Sequence, residues 1–250
     1  MNQWVGRILL VVLVGTIIIL GVSGCMSKKQ QAEENKPNPE VVKDTMLKYL
    51  EEKYGEEFTP ISFESSGFAY SHDTLWAYPK SGDKVDRFEV WGSRMEDGSY
   101  EMSDGYFGIY IKPKYEEVLL GFVSEIYNNF KMFTSFKEGI WSDELNKDTK
   151  IEDIYLKDQL FGSNTVIFVK EDSAEGIDDE EGLRKIAEKM KDHKMVGNVR
   201  IYFVFNEKFD SIGLNALNAT PDESKELFLK ERLIVKVTSD LKVKKYGEES

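Results

Sequence analysis

Cysteine is almost absent: Cys25 stands alone among 250 residues. No intrachain disulfide can form, so any exported body must be held by its core alone. Histidine is nearly as scarce. His72 and His193 lie far from each other and from any second cysteine, which leaves no zinc-ligand spacing. There is no H-E-x-x-H pair, no phosphate-cradling glycine loop and, beyond residue 25, no G-x-S-x-G nucleophile elbow. Each familiar route to metal, phosphoryl-transfer or serine-hydrolase chemistry lacks its parts, and no cofactor or metal is expected. Positive charge is also in deficit, with 33 Lys and Arg against 45 Asp and Glu and a formal net charge of −12. That balance disfavours nucleic acid, whose affinity comes largely from cations neutralising phosphates. It disfavours direct adhesion to anionic lipid as well, and otherwise reads as solubility.

Long apolar runs are missing too, with one exception at the start. Trp4 and Arg7 precede an unbroken apolar stretch over residues 8–14, which continues through Gly15 and Thr16 to Leu20. Gly21-Val22-Ser23-Gly24-Cys25 follows, and a polar segment begins at once. A positive residue, an apolar run and small residues in that order form the anatomy of a secretory signal.

Val22-Ser23-Gly24-Cys25 resembles the lipobox of bacterial lipoprotein precursors: an aliphatic residue, two small ones, then the cysteine that is lipidated. The resemblance covers about a tenth of the chain. It implies a signal peptide over residues 1–24, cleavage before Cys25, and a diacylglycerol thioether on its sulfur. N-acylation, for instance with palmitate, would follow at the new N-terminus. Two or three acyl chains hold firmly, since each buried methylene contributes roughly 0.8 kcal/mol. The resemblance therefore implies a cell-membrane location, the body on the extracytoplasmic side. The alternative is an uncleaved spanning anchor, for which residues 4–22 are just long enough. Against it stand the small residues 21–24 and the outer positive charge of Lys28 and Lys29. Loss of residues 1–24, with one basic residue and no acid, leaves 226 residues at a formal charge of −13.

Residues 25–37 have no apolar period and read as a flexible tether with a typical span of about 20 Å. Asn38 and Pro39 then mark a helix start. Val42, Met46, Tyr49, Leu50 and Tyr54 recur at helical spacing, and Gly55 supplies the stop. The next stretch alternates short β-like runs with turns: residues 58–63, 75–78, 88–91 and 106–112. In the last, Phe107, Ile109 and Ile111 alternate with Tyr106, Gly108 and Tyr110, predicting a strand that Pro113 ends. Apolar residues from Tyr115 to Phe133 at intervals of three or four predict a helix over 114–133, lying across the preceding sheet. Residues 151–160 read as either a short helix or an irregular strand.

Further along, 165–170 and 199–205 read as strands, and 171–181 as an acidic loop. Asp178 with Glu181 is a cap for the helix that carries Leu183, Ile186, Ala187 and Met190. Thr220-Pro221-Asp222-Glu223 is a capping box. Residues 233–237 and 241–245 form a hairpin around Ser239 and Asp240. The fold class is thus α+β, antiparallel sheets packed against helices. Two adjacent units are expected: 38–137 as helix, meander and helix, and 138–250 as the second.

Few side chains invite a chemical reading. His72-Asp73 in a polar turn is a solvated loop or a catalytic pair; His193, flanked by lysines, is a helix-end cation. The carboxylates of 171–181 do not fit the alternating calcium loop, and read as a solvated loop with a helix cap or, failing that, a weak calcium site. No two of the 45 acids are singled out as a glycosidase pair. Aromatics are the richer resource, with Tyr70, Trp76, Tyr78, Trp91, Tyr100, Tyr106 and Tyr110 concentrated in the first sheet. If several share its solvent face, they make a platform for sugar rings or peptide; otherwise they are cross-strand pairs and core. The expected contact surface is Trp76, Tyr78, Trp91, Tyr106 and Tyr110. The function expected is a membrane-anchored, non-enzymatic binding module, attached through lipid on Cys25, with a cell-envelope protein or glycan as partner. The alternatives are a cell-envelope hydrolase using a carboxylate pair or His72-Asp73, and the substrate-binding lipoprotein of an importer.

Overall fold

The structure, a computed structural model, describes residues 38–67 and 71–245. The leader, Cys25 and the tether lie outside the described residues, as does Tyr70. Two compact units divide between Thr45 and Met46. In the first, the Asn38 side chain accepts the Glu40 N–H at 3.0 Å and the Asn38 carbonyl accepts the Val42 N–H at 3.1 Å. These bonds open helix α1 (Pro39–Tyr54), with the proline at its first position where no N–H is needed. The helix stops at Gly55, whose φ of +76° suits a residue without a Cβ.

Within the second unit, β1 (Phe58–Glu64), β2 (Asp73–Pro79), β3 (Phe88–Arg94) and β4 (Tyr100–Asp104) form an antiparallel sheet in sequence order. Asp83 caps the turn between β2 and β3, and Gly98 at φ +85° turns the chain between β3 and β4. β1 carries Pro60 and a bulge between Pro60 and Ser62. The Asp104 carbonyl of β4 accepts the Trp141 N–H at 2.9 Å. Leu75, Ala77, Phe88, Val90 and Met102 are buried, as are Met46, Leu50 and Tyr54 of α1. Gly92 on β3 lets Met46 come close: a Cβ there would lie 3.1 Å from the Met46 methyl.

The segment after β4 departs from the alternation reading. Residues 106–112 are not a strand; helix α2 (Phe107–Ser124) begins there and takes Pro113 inside it. Phe107, Ile111, Tyr115, Leu119 and Phe122 are buried at intervals of four, four, four and three, one helical stripe that reaches upstream of the proline. A seven-residue alternation is too short to exclude that period, and Pro113 sits on the exposed side where its missing bond is tolerated. The helix also ends earlier than expected. Residues 130–133 belong to β5 (Phe130–Phe136), because the Asn128 and Asn129 N–H groups turn to the Ser173 hydroxyl at 2.8 and 3.0 Å. α2 does not lie across the first sheet as expected. It packs on β5, with Tyr115 and Phe136 rings 5.2 Å apart and the Tyr115 and Ser163 hydroxyls 2.8 Å apart.

β5 pairs with β6 (Ser163–Lys170), β7 (Gly197–Val204), β8 (Leu233–Val237) and β9 (Val243–Lys245) in that order. Hydrogen bonds thus cross the expected division at 137/138. All pairs are antiparallel except β6–β7, whose parallel crossover holds α4 (Glu171–Ala174) and α5 (Asp179–Asp192). Residues 151–160, left open by their sequence, contain a 3-10 turn (Ile151–Asp153) and α3 (Ile154–Lys157). Val166, Phe168, Tyr202, Val204, Phe209 and Ile212 form one core cluster. Ile167, Val169, Ile201 and Phe203, alternating with them, are buried too, as are Leu183, Ile186 and Met190 of α5. That double burial explains the unbroken apolar run of β6. The expected caps form: Asp178 accepts the Glu181 N–H at 3.1 Å, and Thr220 and Glu223 make a reciprocal capping box that opens α6 (Pro221–Leu227). The Thr134 N–H of β5 is taken by the Glu116 carboxylate of α2 at 3.0 Å. The fold is α+β, with helices packed on one antiparallel and one mixed sheet. Among the described residues no helix is long and apolar enough to cross a membrane.

Candidate functional site

Alternation along β2 and β3 sorts the first sheet into two faces. Leu75, Ala77, Phe88 and Val90 are buried on one; Thr74, Trp76, Tyr78, Glu89, Trp91 and Ser93 stay half-exposed on the other. Register places Trp76 between Ser62 and Glu89, and Trp91 between Thr74 and Ser103. The two indoles are therefore diagonal neighbours, set among hydroxyls and one carboxylate. His72 lies flat on Trp91, with ring centroids 4.1 Å apart and planes at 21°. The Trp91 indole N–H donates to Glu89 at 2.8 Å, which fixes the ring edge. The Arg87 guanidinium lies 5.4 Å from the centre of the Trp76 ring.

Of the five expected contact residues, the structure brings Trp76, Tyr78 and Trp91 together and separates the other two. Tyr106 is buried, its ring 4.9 Å from those of Tyr54 and Phe58, and its hydroxyl donates to Glu56 at 2.8 Å. Tyr110, on α2 and not on a strand, lies 5.4 Å from Tyr54. Both were placed on the sheet by the misread alternation; they are packing residues where α2 begins. Tyr100 is half-exposed, and burial followed by the Asp73 charge raises its phenol above the usual range.

His72 and Asp73 face different surroundings. Asp73 turns inward to 5% exposure and accepts the Ser66 N–H at 2.5 Å, while His72 stacks on the outer face. His193 ends α5, its Nδ1 3.0 Å from the Lys189 carbonyl and its ring 4.8 Å from that of Phe122. In the acidic loop, Asp178 caps α5, Asp172 pairs with Lys170 and Glu181 with Arg184. Among the described residues no three His, Cys, Asp or Glu side chains are grouped to hold a metal.

The most heavily bonded polar group was not singled out by the sequence. Asp104, fully buried, accepts from the Tyr54 hydroxyl and from the Tyr106 N–H two residues on, both on one oxygen, at 2.8 and 2.9 Å. Its other oxygen takes Lys53 at 2.8 Å and the Tyr49 hydroxyl at 3.0 Å. Lys53 completes its own set with Tyr49 and Asp143. Every strong site on that carboxylate is used, so the cluster clamps α1, β4 and the 141–145 segment together and leaves nothing for a substrate. Burial first and the Asp104 charge second drive the Tyr49 and Tyr54 phenols far above their usual range.

Beside Trp76 opens a cleft of about 450 Å³, with Trp76, Phe136 and Trp141 in its walls. It gathers the start of β3, the start of α2 and the turn after β5. No local pattern could have joined these segments, least of all with α2 read as a strand. A larger groove of about 890 Å³ runs along Tyr202, Leu217 and Phe228. Its lysines are already paired, Lys230 with Asp179, Lys245 with Glu180 and Lys225 with Asp222.

No family model matches this chain, and no curated protein does. The crystal structure of a DUF5037 family protein from Ruminococcus gnavus is similar over 78% of this chain and 91% of that one. The identity is 16% and the TM-score 0.38.

Proposed function

We propose that this chain is a lipid-anchored, extracytoplasmic binding module, without catalysis, that takes a cell-envelope glycan on the outer face of its first sheet. The observation that carries the reading is the sharing of that face by Trp76, Tyr78 and Trp91, half-wet and ringed by Ser62, Thr74, Glu89 and Ser103. Sugar rings offer apolar C–H faces to stack on aromatic planes, and hydroxyls that short Ser, Thr and Glu side chains can bond. The lipobox resemblance at Cys25 supports the location. The burial of Asp73, with His72 stacked on the outer face, gives no support to the hydrolase alternative. Parallel pairing among the described residues is confined to β6–β7, and so gives no support to a pair of parallel-sheet importer lobes.

Titration of the full chain with soluble cell-wall oligosaccharides, followed by tryptophan fluorescence, tests the reading. Binding should perturb the emission. Trp76→Ala and Trp91→Ala should each weaken affinity about tenfold, or about 1.4 kcal/mol. Unchanged affinity in the double variant would remove the outer face from consideration.

A further inference from the structure

The cleft beside Trp76 differs from the outer face in one respect: it is charged in both signs. Arg87, Lys112 and Lys137 line it, and so do Asp86, Glu89 and Glu138. In the larger groove the lysines are consumed in ion pairs. Asp86, Lys112, Lys137 and Glu138 enter none of the described pairs. Among the described residues, Arg87 lies over the ring of Trp76 and enters no ion pair. The cations and carboxylates stand around one concavity without neutralising one another.

Gly105, Gly108 and Gly139 leave part of the lining without side chains. A Cβ on Gly105 would fall 2.7 Å from the Gly139 carbonyl oxygen, so the two strands of chain approach where only glycine fits. Gly139, at φ +143°, has open space where its side chain would be. The volume, about 450 Å³, is at the small end of ordinary ligand pockets and fits a short peptide rather than a folded partner.

Trp76 belongs to both places, its ring on the outer face and in the cleft wall. We infer that the cleft receives a short zwitterionic peptide branch carried by the glycan bound on the outer face, its carboxylate toward Arg87, Lys112 and Lys137 and its amine toward Asp86 and Glu138. A neutral glycan has no use for this arrangement; a branch with both charges satisfies both sets. The inference rests on the reading of the outer face as the glycan site.

Calorimetric titration of the full chain in detergent micelles separates the two. One ligand is a neutral N-acetylglucosamine oligomer; the other is a disaccharide of the same sugar class bearing a short peptide with free amine and carboxylate. The peptide-bearing ligand should bind about tenfold tighter. The double variant Lys112→Glu, Lys137→Glu alters two exposed side chains, so the fold is spared. It should erase that advantage and leave the neutral oligomer unaffected, whereas Trp91→Ala should weaken both ligands alike. Equal affinity for the two ligands, or an advantage that survives charge reversal, overturns the peptide branch and leaves the outer-face reading standing. Binding of neither ligand overturns the outer-face reading and the inference with it.

Discussion

Asp104 shows what one buried carboxylate can hold. It is fully buried, Lys53 is 6% exposed, and both are saturated with hydrogen bonds. Asp104→Asn keeps the shape but leaves a buried ammonium short of its partner. Removing one partner of a buried pair costs about 3–5 kcal/mol, and urea unfolding should register a loss of that size. Buried phenols, at this cluster and elsewhere, bear on alkaline stability. Burial, then the Asp178 charge, pushes Tyr127 up to about 12, and burial with neighbouring carboxylates raises Tyr49, Tyr54 and Tyr106 further. Their contribution is fully present below the ordinary phenol value of 10.0 and is lost as the unfolded chain ionises above it. Urea midpoints should therefore hold level up to about pH 10 and fall beyond it. Tyrosinate absorbance of the native protein should lag that of the denatured chain over the same interval.

Among the elements, α5 depends on its cap. Asp178→Ala removes the acceptor for the Glu181 N–H and should cost about 1 kcal/mol in thermal or urea unfolding, while Asp178→Ser should restore most of it. This cap was readable in the sequence, as was the Thr220 box, because caps are local: the acceptor and its N–H are three residues apart. Strands β1, β2 and β3 were readable for a similar reason, being bounded by Gly, Ser and Asp turns. α2 and β5 were not. Phe107, Ile109 and Ile111 satisfy period two over a few residues, while Phe107, Ile111 and Tyr115 satisfy the helical period over a longer run, and the longer one wins. Phe130 and Phe133 continue that period by coincidence; β6, thirty residues downstream, supplies the backbone partners that make them strand. The candidate site divides the same way. Trp76, Tyr78 and Trp91 follow from alternation within strands, but the cleft depends on where α2 starts and on the turn at Gly139.

Across the whole chain, the proposed location and the proposed contact face are independent and can fail separately. Cys25→Ala should abolish acylation and lipoprotein-type cleavage, so that mass spectrometry finds the leader still attached and no acyl adduct. Glycan binding by the body should persist in that variant. Recovery of the same mature, acylated form from Cys25→Ala cells would sink the anchor while leaving the sheet untouched.

The two sheets end in four margins, and each is spoiled for pairing with another chain. β1 has Pro60 and a bulge, the Asp104 carbonyl of β4 is taken by Trp141, the Thr134 N–H of β5 is held by Glu116, and β9 is three residues long with two lysines. Molecules crowded side by side on a surface would otherwise zip together through such borders. Here they have nowhere to start. On the proposed reading, crowded copies would stay separate and recognition would fall to the broad side of the pleat.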